Sequence, residues 1–522
     1  MKKFCNENAK YWSKVTHNKG AGVILVEGFF GEAGPNYVIR VGTIAKALEE
    51  KYKMTPIVLL ERGVQMEPSK KEVWSSFSID NFIGVMEDIA PKVPLLDKLK
   101  VKLLSRLYFL VAKILIELSL SFKKLSYKGI QIGDLIYDQL VKINREGSYT
   151  ITYLSKADFG QFFEAFKGIL YADWLCKNYD IKYYVATHSQ YTYYGAPARY
   201  LKSKGVVVIE TTDDGLFVYD DKNHKDLPVY HDFLREEISK LVKKVNKEES
   251  IKKAEEAFAN RFLINNSSSI DVELACKGKK LYDKDSLRLR LNIENTDPFV
   301  FIFSHVFSDA PQGLVTTNLF SDYFQWLDRT IRYCSSLDNH VNWIVKEHPS
   351  VDAYGERGEV KKLVQRYCGE KSNVYMCPDD FNTAGIKNTA SIILTNLGTV
   401  GLEAACLGIP VIITGQAFYS GAGFTIEPKS KQEYYESLAN AHTLMRPLSD
   451  EQKNHALLIF QAFFLISNGY CSKLIDSEIK NLVWGTANVK QDISKAFDLM
   501  GDRLKSTDPR KLELFQKILR DV

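Results

Sequence analysis

Short, wholly apolar runs alternate along the chain with longer stretches of helical spacing, and the alternation starts twice. Ala21 to Val26 is an apolar run that ends at Glu27 and Gly28, ahead of a glycine-rich turn reaching Gly34. Val38 to Lys51 has apolar residues three and four apart, and Thr55 to Leu60 is the next run of strand length. Lys182 to Thr187, Tyr193 to Lys204 and Gly205 to Glu210 repeat strand, helix and strand. The second half restarts at Phe299 to Ser304. It continues through a helix over Leu319 to Ser336 and strands over Asn342 to Lys346 and Ser391 to Thr395, then a helix over Val400 to Leu407 and a strand over Val411 to Thr414. Strand, helix, strand is the unit of a parallel sheet. The pattern predicts an α/β protein with two doubly wound, Rossmann-like domains facing a cleft.

Between about Tyr219 and Asn295 the pattern changes. Leu234 to Lys253 is rich in Lys and Glu and reads as one long exposed helix. The expected domains are therefore residues 1–295, with a charged helical linker over about 220–295, and residues 296–522. A second departure is the leucine-rich stretch Lys98 to Lys128, whose eight cations face only Asp97 and Glu117. As a helix it offers cations to acidic lipid headgroups and leucines to the membrane interface. The plainer reading is a helix packed on its own domain with a solvated basic face.

Composition narrows the function. A net charge of +5 over 522 residues, without a basic stripe among aromatics, does not mark a nucleic-acid binder. Eight scattered cysteines show no C-x-x-C spacing, which points to reduced thiols. No apolar stretch has the length of a membrane span, and Met1 to Gly20 lacks a signal peptide's apolar core, so the expected location is cytoplasmic.

Ligands of open parallel sheets bind beyond the carboxyl ends of the strands. Thr395 to Glu403 runs from a strand through a turn of small residues straight into a helix. Its unpaired N–H groups suit a phosphate, with Gly398 and Gly401 allowing close approach, Asn396 and Thr399 adding polar groups, and Glu403 one turn on, towards a ribose. In isolation the segment reads equally well as a capped strand-to-helix turn. Lys346-Glu-His348-Pro349 ends a neighbouring strand, and the proline leaves His348 exposed to donate to a phosphate oxygen. Gly415 to Thr425, with Tyr419 and Ser420, follows the last strand as a third element to wrap the sugar end of a donor.

From His348-Pro349 through Thr399 to Ala404, Leu407 to Val411 and Gly415 to Tyr419, the sequence resembles bacterial capsule polysaccharide biosynthesis glycosyltransferases, among them enzymes that transfer Kdo from CMP-Kdo. Phe320 to Leu327 is similar to surface-carbohydrate members of that group. The resemblance spans roughly Phe299 to Thr425. It implies a GT-B fold with the donor held by the second domain, helices beyond Leu482 that brace the first, and no metal or other cofactor. The implied donor is a nucleotide sugar, with CMP-linked acidic sugars favoured and UDP or GDP sugars open. The acceptor would be a growing surface polysaccharide or lipid-linked glycan at the inner membrane face. The first domain would then bind acceptor and supply the catalytic side chain. Glu27 and His188 end strands there, and Asp134 lies in Gly129 to Tyr137; Asp213 and Asp214 rank behind them. A nucleotide-sugar epimerase on the same architecture, and a non-catalytic glycan-binding subunit, are the alternative readings.

Overall fold

A computed structural model describes residues 1–28, 34–61, 68–143, 149–212, 215–220, 230–260, 270–314, 317–369, 372–468, 474–484 and 490–522. Two compact units emerge. The first comprises Met1–Ile143, Ile151–Pro228 and Ile466–Val522; the second comprises Asn144–Thr150 and Val229–Leu465. The charged helical region therefore belongs to the second unit, and the C-terminal segment to the first.

In chain order the first unit holds β1 (Val23–Glu27), β2 (Thr55–Leu60), β3 (Phe82–Gly84), β4 (Ser126–Tyr127), β5 (Ile130–Gln131), β6 (Ile181–Ala186), β7 (Val207–Thr212) and β8 (Gly215–Tyr219). Six of them form one sheet in the order β3-β2-β1-β6-β7-β8, parallel except for β8, which turns back along β7. The second unit holds β9 (Phe299–Phe303), β10 (Asn342–Lys346), β11 (Val374–Met376), β12 (Ala390–Thr395), β13 (Val411–Ile413) and β14 (Thr425–Ile426). They form a wholly parallel sheet in the order β11-β10-β9-β12-β13-β14. Both are the doubly wound, Rossmann-like sheets that the alternation predicts.

The apolar runs form central strands because both faces of such a sheet are covered. Every residue of β9 and β10 is buried, and Ile24, Leu25 and Val26 of β1 are at most 1% exposed. Strands β3, β11 and β14, of two or three residues, lie at sheet edges or toward them, and such short segments have no periodicity to read.

Helix boundaries differ from the expected ones where a cap intervenes. The helix expected from Leu319 starts at Tyr323, because Asp322 accepts the Gln325 N–H at 2.7 Å as its N-cap. The single charged helix is two, Tyr230–Val242 and Lys247–Phe258, the second capped by Asn246. They bury Leu234, Ile238, Ala254 and Phe258, so the segment is half core rather than an exposed linker.

The C-terminal helices close the first unit. Phe497 meets Phe4 at 5.3 Å between ring centroids, Phe515 meets Trp12 at 5.9 Å, and Lys51 Nζ donates to the Leu519 carbonyl at 2.7 Å. The leucine-rich region is one helix, Leu95–Glu117. It packs on the helix Phe159–Asn178 through Tyr108 on Phe166 and Phe109 on Phe162. No helix among the described residues is long and apolar enough to cross a membrane.

Candidate functional site

In a doubly wound sheet the ligand crevice opens where the connections reverse direction. In the second unit that point lies between β9 and β12. The chain leaves β9 through Ser304 and His305, leaves β10 through Glu347 and His348, and leaves β12 through Asn396 to Gly398. Ser304 Oγ accepts the His348 backbone N–H at 3.0 Å, which ties the two loops together. Ser350 N–H donates to His348 Nδ1 at 3.2 Å, so the ring's proton sits on Nε2, and the half-buried imidazole presents an N–H donor.

His305 was not anticipated from the sequence. Its Nε2 accepts the Leu397 N–H at 3.2 Å and lies 3.3 Å from Thr395 Oγ1, and its ring stacks on Tyr323 at 4.5 Å. Burial first, then His348 and His231, pushes its pKa down to about 3, so it is neutral and acts as a fixed acceptor. The turn it holds leads into the helix Thr399–Cys406, whose N-cap Gly398 provides no side-chain cap. A signal was available, since both Phe303-Ser304-His305 and Ala186-Thr187-His188 read as strand, hydroxyl, histidine. Glu356 was missed as well. It is 1% exposed and accepts the Phe307 and Ser308 N–H groups at 2.7 and 3.0 Å, which fixes the loop after β9.

The other expected donor-site residues divide. Thr399 is half-buried at the helix start, and Ser420 Oγ is buried with no hydrogen-bond partner among the described residues. Gly401 serves packing, because a Cβ there would lie 2.3 Å from Tyr419 Oη. Tyr419 is buried, and its hydroxyl donates to the Gly398 carbonyl at 2.6 Å, so it supports the turn from beneath. Asn396 is fully buried in an amide network with Asn318 and Thr414. Lys346 is 6% exposed, lies over the Phe381 ring, and donates to that residue's carbonyl at 3.4 Å. These three face inward. Glu403 is also buried, at 5% exposed.

The first unit has its reversal between β1 and β6. Glu27 ends β1 and is 3% exposed. It accepts the Thr187 N–H at 2.7 Å and the Thr187 hydroxyl at 3.1 Å, and that hydroxyl lies 3.0 Å from His188 Nδ1. Burial pushes the Glu27 carboxyl up to about 8, against the Thr187 bonds that favour the anion, and the Glu210 carboxyl adds to the rise. Glu210, another residue not anticipated, is fully buried in β7 and accepts from Ser189 Oγ at 2.8 Å. Burial raises it to about 7. His188 is half-buried, 4.1 Å from Tyr194 between ring centroids, and burial together with Lys142 lowers it to about 3. Beside it, Tyr191 opens a π turn with φ of 62°, a left-handed conformation rare for a bulky side chain.

Asp134 is not part of this cluster. Both its oxygens bind the Arg199 guanidinium, at 2.9 and 2.8 Å, which clamps the helix Gly133–Ile143 to the helix Ala196–Ser203. Asp213 and Asp214 lie outside the described residues. Among the described residues no group of His, Cys, Asp and Glu is arranged to hold a metal ion.

The family model described as "Capsule polysaccharide biosynthesis protein" matches residues 288–457. This stretch, about a third of the chain, is similar to that family. It contains His305, His348 and the Thr399 turn, whereas Glu27, His188 and Asp134 lie outside it. No curated protein matches the chain by sequence. Among solved structures it is similar to the beta Kdo 2,7 transferase of Thermosulfurimonas dismutans KpsC, with 16% identity, a TM-score of 0.30, and 56% of this chain and 79% of that chain covered. A glycosyltransferase from Rickettsia africae matches at 11% identity and a TM-score of 0.27, over 96% and 98% of the two chains. The UDP-GlcNAc 2-epimerase of Neisseria meningitidis, bound to UDP-GlcNAc, matches at 10% and 0.29, over 85% and 96%. At these values the likenesses decide nothing about the activity of this chain.

Proposed function

We propose that the protein is a glycosyltransferase that moves a sugar from a nucleotide-activated donor to a surface polysaccharide or lipid-linked acceptor. The observation that carries this is the crevice between β9 and β12. There the His348 Nε2–H and an uncapped helix start at Thr399 offer donors for a phosphate. They lie within the stretch that matches the capsule-synthesis family. A CMP-linked acidic sugar of the Kdo type is the favoured donor, and transfer proceeds without a metal ion.

The acceptor hydroxyl must lose a proton, and His188 is assigned to take it. With Glu27 ionised, the Thr187 hydroxyl donates to Glu27 and accepts from His188 Nδ1–H, leaving Nε2 free as the base. Glu27 is thereby a positioning residue, and Asp134 a structural one.

Titration calorimetry with CMP, UDP and GDP tests the donor half. Replacing His348 by Ala removes one charge-assisted hydrogen bond, about 1.5–3 kcal/mol, and should weaken the preferred nucleotide roughly 10- to 150-fold. His188→Ala should abolish transfer while nucleotide affinity stays within about twofold. Unchanged nucleotide binding in folded His348→Ala would remove the donor assignment.

A further inference from the structure

Folding leaves one face of the Leu95–Glu117 helix unused. Leu96, Leu99, Leu103, Leu107, Leu110 and Ile114 recur every three or four residues, and each is more than half exposed, Leu96 at 79%. The opposite face is the one that packs, with Val101, Ser105 and Ala112 buried. A contiguous apolar stripe of six large exposed side chains is the kind of surface that marks a contact site.

The charges beside the stripe say what it meets. The helix carries Lys98, Lys100, Lys102, Arg106 and Lys113 against Asp97 and Glu117, and none of the five cations makes an ion pair among the described residues. At about 100° per residue, Lys100 flanks the leucines on one side and Lys102, Arg106 and Lys113 on the other. Two copies laid stripe to stripe would bring like charges together on both flanks. A phospholipid surface with anionic headgroups accepts the leucines at its acyl boundary and the cations at its phosphates. At about 1.5 Å per residue the helix is on the order of 35 Å long, and it would lie in the interface rather than cross it.

We propose that the Leu95–Glu117 helix docks the protein, lying flat, on an anionic phospholipid membrane. This goes beyond the transferase reading and does not depend on it. The docked state brings the protein to the surface where an acceptor carried on a lipid would be found.

The test is co-sedimentation of the full-length protein with vesicles of phosphatidylcholine alone or mixed with phosphatidylglycerol, at low and high salt. Recovery with the anionic vesicles at low salt is expected, with at least a tenfold loss at high salt or on neutral vesicles. Leu103→Glu combined with Leu107→Glu should reduce binding at least tenfold. So should Lys100→Glu with Lys102→Glu and Arg106→Glu. These side chains are exposed, so melting temperatures should stay at the wild-type value, and nucleotide affinity measured in parallel reports on the donor site separately. The proposal is overturned if the protein stays in the supernatant with anionic vesicles at low salt, or if the leucine variant binds as well as wild type. It is equally overturned if sedimentation velocity shows a dimer that the leucine variant dissociates while vesicles capture neither, since a second copy would then cover the stripe.

Discussion

Glu27 and His188 occupy the same crevice, yet burial moves them in opposite senses. Removing a carboxylate from water favours its protonated form, and removing an imidazolium favours the neutral ring, so one rises to about 8 and the other falls to about 3. The consequences for stability have opposite signs. Glu27, raised from 4.5, contributes stability that is complete below pH 4.5 and is lost as pH climbs through about 8. His188 and His305, lowered from 6.5, contribute stability that is present above 6.5 and is lost as pH falls towards 3. Glu27→Gln should therefore flatten the fall in melting temperature expected of the wild type between pH 5 and 8. The same variant should erase any rise in transfer rate across that range, because glutamine cannot switch the His188 tautomer through Thr187. Thermal melts and initial rates over the pH series check both; a wild-type slope retained in the variant places the titration elsewhere.

At the scale of elements, the proposed donor crevice depends on how closely the loop after β13 approaches the helix Thr399–Cys406. Gly401 permits that approach, and Tyr419 uses it to hold the Gly398 carbonyl. Gly401→Ala places a methyl group against the Tyr419 hydroxyl. The expected cost is about 1–3 kcal/mol of stability from overpacking, with a loss of nucleotide affinity as the turn shifts. Adding Tyr419→Phe should recover part of the stability but not the affinity, because the bond to Gly398 is gone. Chemical denaturation and nucleotide titration of the single and double variants separate the two effects, and full affinity in Gly401→Ala would show that the turn is not part of the binding surface.

At the scale of the whole molecule, the chain finishes on the unit where it began. Phe497, Phe515 and Ile518 are at most 3% exposed, against Phe4, Trp12 and the helix Gly34–Tyr52. Ending the chain at Lys490 removes these side chains and uncovers the apolar surface beneath them. At about 1.5–3 kcal/mol for each buried aromatic or aliphatic side chain, the loss rivals the stability of a typical domain. The truncated protein should lose the cooperative unfolding of its first unit and become susceptible to protease there, whereas the second sheet stays protected. Limited proteolysis with mass spectrometry reads this directly, and an unchanged digestion pattern would show that the tail is dispensable.

The central strands were legible in the sequence because a strand covered on both faces must be apolar along its length, as at Val23 to Val26 and Phe299 to Phe303. So was the Thr395-to-Thr399 turn, since small residues between a strand and a helix leave little else to form. The exit of the chain from β10 towards His348 was legible too, because Pro349 cannot continue a strand. The sequence could not show which polar side chains face the crevice. Asn396, Lys346 and Tyr419 sit in the same motifs as His348 and Thr399, but their partners Asn318, Phe381 and Gly398 become neighbours only when the sheet is assembled. Asp134 was grouped with Glu27 and His188, but folding pairs it with Arg199, 65 residues away. Glu210 and Glu356 carry no local signature that singles them out, because burial and distant partners give them their properties. The leucines of Leu95–Glu117 show the converse. Their spacing is fixed by the sequence, but only packing decided that Val101, Ser105 and Ala112 turn inward and leave the larger side chains to solvent.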